Sequence, residues 1–84
     1  NVEIHRFDDV GVEEIDVIVD ETSTYIQKDM LIDDIPKEFS VAAIIRDEQV
    51  KIPGSMTEIK PQDELLIFTK PEDAKNAESL FVSK

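Results

Sequence analysis

The stretch Ser40-Val41-Ala42-Ala43-Ile44-Ile45-Arg46-Asp47-Glu48-Gln49-Val50-Lys51-Ile52-Pro53-Gly54 decides how this chain folds. Between Ser40 and Arg46 every side chain is apolar and three are β-branched, the pattern of a strand buried on both faces. Asp47-Glu48 reads as a tight turn into residues 49–52, which makes an antiparallel hairpin. Pro53-Gly54 ends its second strand. A chain this short has little structure of its own to cover both faces of such a strand, so a second copy of the domain is expected to cover one of them. The candidate contacts are Val41, Ala43 and Ile45 on the strand, or Leu31 and Ile35 just before it.

Downstream, Pro61-Gln62-Asp63 forms a turn and residues 64–69 a further strand. Thr69 and Glu72 have capping-box spacing, and Pro71 suits a first helical turn, where its missing N–H does no harm. The closing helix carries Ala74, Ala77, Leu80 and Phe81 on its apolar side. Upstream, residues 28–35 read as a short helix with Met30, Leu31 and Ile35 inward and Asp29, Asp33 and Asp34 outward. Pro36 bounds it, because a proline disfavours helix in the residue before it. Thr22-Ser23 breaks the chain before that helix. Residues 12–20 form a mostly buried strand around Ile15, Val17, Ile18 and Val19. Asp8-Asp9-Val10-Gly11 is a turn, and residues 2–7 give a lead-in strand. The expected fold is α+β and strand-rich, built from antiparallel hairpins with a short helix after the first main strand and a C-terminal capping helix. Without repeats or linkers, residues 1–84 read as one domain, with 1–11 as its lead-in. The chain starts at Asn1, so it is expected to be a piece of a longer protein.

The 40% hydrophobic share suffices for one core, and no run approaches the roughly 20 apolar residues of a membrane span. Direct membrane insertion is therefore not expected. Twenty acidic residues against nine basic ones give a net charge of −11. Residues 1–38 hold twelve of the acids and three of the bases. Such a surface repels phosphate backbones, so nucleic acid is not an expected partner. A cation or a basic partner would find its field in the first half. With no cysteine there is no disulfide framework and no thiolate chemistry.

Nothing here converges as catalysis requires. The single histidine is His5, no nucleophile elbow or phosphate-cradling loop is present, and there are only two glycines. No catalytic residue is expected. His5 reads as a half-exposed strand residue rather than a ligand. The carboxylates of Asp29 and Asp33, one helical turn apart, are an alternative site for a hard cation, although no EF-hand spacing surrounds them. Arg46 either pairs with a nearby carboxylate such as Asp47 or Glu48, or contacts a ligand or a neighbouring subunit. Met30 and Met56 suit gap-filling positions, and Tyr25 suits a packed ring with a wet hydroxyl.

These segments, in this order, resemble the C-terminal domain of TrkA and related regulators of potassium conductance (the TrkA-C or RCK C-terminal domain). The likeness rests on the strand end Ala43-Ile44-Ile45-Arg46-Asp47, the strand end Ile52-Pro53, and Lys60-Pro61-Gln62-Asp63-Glu64-Leu65 leading into the last strand. It spans about residues 12–81. Two positions depart from the family's pattern, which commonly has glycine where this chain has Gln27 and Gln62. Both losses remove easy left-handed backbone geometry.

The resemblance implies a non-catalytic regulatory domain that follows a separate nucleotide-binding domain, so no cofactor is expected within this one. It implies a homodimer that acts through the full-length protein on a membrane potassium transporter or channel, on the cytoplasmic side and peripheral to the membrane. It also implies sensing of a small ligand or ion. Where relatives bind cyclic di-AMP, this chain has Ile32, Asp34, Ser40 and Val41; only Val41 fits, and Asp34 would repel phosphate. Tight binding of that dinucleotide is therefore not expected. The alternatives are an acidic Ca²⁺-like cation sensor, or a purely structural assembly domain of another ion transporter.

Overall fold

The computed structural model describes residues 2–7, 11–21 and 29–81. Five strands form one sheet: β1 (Val2–Phe7), β2 (Val12–Ile18), β3 (Ser40–Arg46), β4 (Gln49–Lys51) and β5 (Glu64–Thr69). Their spatial order is β1-β2-β5-β3-β4, and every pair is antiparallel. The five strands fall within the segments the sequence marks as strands: apolar, largely β-branched residues fill one face of β2, β3 and β5, whereas β4 is exposed along its length and is held by its pairing with β3. The hairpin turn lies at Asp47 and Glu48, both with positive φ (52° and 65°), the two-residue geometry whose twist matches the flanking strands.

One face of the sheet is the core. Ile15 and Val17 of β2, Ile44 of β3, and Leu65 and Ile67 of β5 are fully buried there, joined by Val19, Ile35, Phe39, Ile59, Ala74 and Ala77. The alternation of faces along the strands is interrupted in β3. Val41 pairs with Ile67 but Ala43 pairs with Leu66, so Ala42 is an extra residue that shifts the register. The bulge turns Val41 and Ile44 toward the core, and Ala43 and Ile45 toward the other face.

The connection from β2 to β3 differs from the expected helix. Thr22, Ser23, Tyr25, Gln27 and Lys28 lie outside the described residues, as do Asp8, Asp9 and Val10 of the first turn. Between 29 and 35 the chain makes a single 3-10 turn, Ile32–Asp34. Its backbone is engaged elsewhere: the Ile32 and Asp33 amides donate to Thr57 and Ser55 carbonyls, and the Ile59 amide donates to Met30. A strand-like attachment to residues 55–59 has replaced helical bonding. Met30 packs against the core, whereas Met56 is largely exposed.

At the C-terminus, α1 (Pro71–Ala74) and α2 (Asn76–Phe81) pack over β2. Pro71 takes the first helical turn as expected, but Thr69 is not the cap. Thr69 ends β5 with its side chain buried, and its hydroxyl donates to the Glu38 carbonyl (2.7 Å). Lys70 occupies the N-cap, without a side-chain hydrogen bond.

Gln62 stands in the left-handed region, with φ 71°. The turn therefore keeps glycine-type geometry without a glycine. A non-glycine residue there costs about 1–2 kcal/mol, and glycine returns part of that as chain entropy in the unfolded state. Gln62→Gly is expected to stabilise the chain by about 0.5–1 kcal/mol, raising Tm by about 2–8 °C in a thermal melt. An unchanged or lower Tm would show that the turn is not strained.

Candidate functional site

Arg46 closes a dense polar knot at the end of β3. Its Nε donates to Asp63 Oδ1 and its Nη2 to Asp63 Oδ2, each at 2.7 Å, and Nη2 also donates to the Glu58 carbonyl at 2.9 Å. Asp63 is 1% exposed and accepts a further bond from the Lys60 amide. The Asp63 carbonyl accepts from Val19, and the Gln62 amide donates back to the Val19 carbonyl. A bidentate guanidinium–carboxylate pair is strong and directional. The hydrogen bonds to Asp63 hold the Arg46 proton above its ordinary affinity. The expected partners Asp47 and Glu48 are instead the exposed hairpin turn. The guanidinium is thus absorbed by the fold, through a residue seventeen positions away.

The open face of the sheet shows a different organisation. Cross-strand partners point to the same side, which aligns three rows of side chains. The first runs Val50, Ile45, Glu64, Ile18; the second Ala43, Leu66, Asp16, Glu3; the third Ser40, Phe68, Glu14, His5. The β4-β3-β5 part of this face is mainly apolar, with Val50 67% and Phe68 39% exposed. The β2–β1 part is charged.

Within the charged part, His5 Nε2 lies 3.7 Å from Glu3, 4.0 Å from Glu14 and 3.7 Å from Asp16. The side chain of His5 is half exposed, as expected for an outward strand position. Glu14 and Asp16 sit two apart on β2, so both point outward together, where their strand neighbours Phe68 and Leu66 shield them from water. Burial is the largest influence on Glu14, followed by its hydrogen bond and repulsion with Asp16 and a contribution from Glu64, with His5 opposing. Together these push its pKa up to about 7.

The other sequence candidates scatter. Asp29 and Asp33 are exposed, and Asp33 pairs with Lys37 at 3.5 Å. Ile35 is 4% and Ala43 7% exposed, while Leu31, Val41 and Ile45 are partly buried. Ile32 packs on the core, Asp34 accepts a hydrogen bond from the Leu31 amide, and Ser40 is exposed. The His5–Glu14–Asp16 group was not assembled from the sequence. Its signal was the Glu-x-Asp alternation in β2, which gains meaning only once the β1 register places His5 opposite Glu14.

Residues 15–82 match the family model of the TrkA-C domain. This chain belongs to the TrkA-C domain family. The family is one of regulatory domains associated with potassium transport and is not a catalytic one. The Arg46–Asp63 pair joins the strand end at 43–47 to the turn at 60–65, both within the matched residues. No curated protein matches the chain. No helix among the described residues is long and apolar enough to cross a membrane.

The raised Glu14 pKa has a definite consequence for stability. Between its ordinary value of 4.5 and about 7, the folded chain holds a proton that the unfolded chain has released. Stability from this group is thus full below pH 4.5 and is lost as pH rises through about 7. Lowering pH from 8 to 5.5 in metal-free buffer is expected to raise the Tm of the parent chain more than that of Glu14→Gln, with the variant the more stable of the two at pH 8. Parallel Tm-versus-pH curves would exclude the shift.

Proposed function

We propose that this chain is the dimerising, ligand-sensing domain of a TrkA-like subunit that controls a membrane potassium transporter or channel from the cytoplasmic side. The family match over residues 15–82 carries this reading. In it, residues 1–84 act as one regulatory unit within a longer protein. The nucleotide site belongs to a separate domain, and the chain itself neither catalyses a reaction nor enters the bilayer. A ligand acts on such a unit only by binding one arrangement of the dimer better than another.

The sheet supplies a surface suited to the dimer contact. Ile45, Leu66, Phe68, Ile18 and Val50 give the open face its apolar character beside buried Ala43, with Glu64 set between Ile45 and Ile18 in the same row. Of the five contact candidates in the sequence, Ala43 and Ile45 lie on this face, whereas Ile35 belongs to the protomer's own core. A second copy laid over the apolar part would remove it from water at roughly 25 cal/mol per Å². The acidic parts of the two faces then have to lie apart, which restricts how the copies are arranged.

Sedimentation equilibrium tests the contact. The parent chain is expected to be a dimer and both Ile45→Asp and Phe68→Asp monomers, each with an unaltered far-ultraviolet spectrum. A parent chain that stays monomeric at high concentration, or folded variants that still dimerise, would remove this face as the contact.

A further inference from the structure

The charged part of the open face contains more than a group of acids. Glu3 and Asp16 are cross-strand partners, as are His5 and Glu14, so the register of β1 against β2 brings one imidazole nitrogen among three carboxylates. Single donor atoms of Glu3, His5 and Asp16 all lie within 4.8 Å of one another. A separate observation concerns the oxygens turned away from solvent. With both groups ionised, as a metal site requires, Asp16 Oδ1 and Glu14 Oε2 are buried and have no hydrogen-bond partner. Leaving such an atom unsatisfied costs about 1–3 kcal/mol, so native structures usually provide a donor or an ion.

From this geometry we infer that the outer face of the β1–β2 ribbon is a binding site for a divalent transition-metal ion, with His5 Nε2 and the carboxylates of Glu3 and Asp16 as ligands. The donor set selects the class of metal. One imidazole and two carboxylates suit Zn²⁺ and its neighbours, whereas Ca²⁺ wants six to eight oxygens. A tetrahedral ion with bonds of about 2.0–2.1 Å places its ligands about 3.3 Å apart. His5 Nε2 already stands 3.7 Å from both Glu3 and Asp16, and the two carboxylates lie within 4.8 Å of each other, so shifts of up to about 1.5 Å in flexible side chains close the site. Three protein ligands leave a fourth position to solvent. Glu14, opposite His5, adds negative charge without being required as a ligand, and the net charge of −11 favours a dication. All the ligands come from one protomer, so the site does not depend on the proposed dimer contact.

Calorimetric titration of the chelator-treated chain with ZnCl₂, and separately with CaCl₂, tests this. One Zn²⁺ per chain is expected, with affinity weakened at least about tenfold by His5→Ala and by Asp16→Asn, and with Ca²⁺ at least about tenfold weaker in the parent. Nitrogen-15 spectra of the His5 ring report the same event without relying on heat, since Nε2 is expected to shift on Zn²⁺ addition and Nδ1 to shift less. Circular dichroism checks that the variants remain folded. Absence of Zn²⁺ binding, equal affinity for Ca²⁺, unchanged binding in folded His5→Ala, or an unmoved Nε2 signal would each overturn the site.

Discussion

The bidentate pair between Arg46 and Asp63 is the constraint on which the rest of the molecule depends. Asp63 sits where four segments meet: the end of β2 at Val19, the 58–60 connection, the turn before β5, and the end of β3. Ile45 pairs with Glu64, so the two charged residues are the next positions along the β3–β5 ladder, turned toward the covered side. A carboxylate that is 1% exposed requires its cation in place, and the guanidinium fork supplies it in one fixed orientation. The pair contributes specificity as well as stability. A one-residue slip of β3 on β5 would leave Asp63 buried without its cation, in addition to turning the apolar residues to the wrong face.

The two faces follow from that register. On one side the β-branched rows of β2, β3 and β5 are sealed by the 30–39 connection, Ile59 and the two short helices. On the other, the same strands display an apolar surface that grades into a cluster of one histidine and three carboxylates. The bulge at Ala42 is what allows β3 to serve both faces, giving Ile44 to the core and Ile45 to the open side.

The strands were legible in the sequence because their signal is local. Alternation and β-branching mark residues 12–20, 40–46 and 64–69, of which the first ends as a strand at Ile18, and Asp47-Glu48 marks the hairpin without an Asn or Gly to help. What could not be read locally was missed. The segment around Ile32 has helix-like spacing, but its amides bond to Ser55 and Thr57, more than twenty residues away. Thr69 looked like a cap and proved to be a buried tie to Glu38. Arg46 stands beside Asp47 and Glu48 in the chain, although its partner is Asp63. The family resemblance had already set the two motifs side by side, but only the fold shows that they hold each other. The His5 cluster likewise depends on which residue of β1 faces which residue of β2, and composition says nothing about that.

A double-mutant cycle on the clamp tests its role most directly, with Arg46→Met, Asp63→Leu and the double variant unfolded in urea alongside the parent. Each single change is expected to cost about 3 kcal/mol, at the low end for a broken buried pair because Arg46 keeps some contact with water. The double variant is expected to lose no more than either single one, leaving a coupling energy of about 3 kcal/mol or more. Additive losses, with coupling below about 0.5 kcal/mol, would show that Arg46 and Asp63 do not hold the fold together.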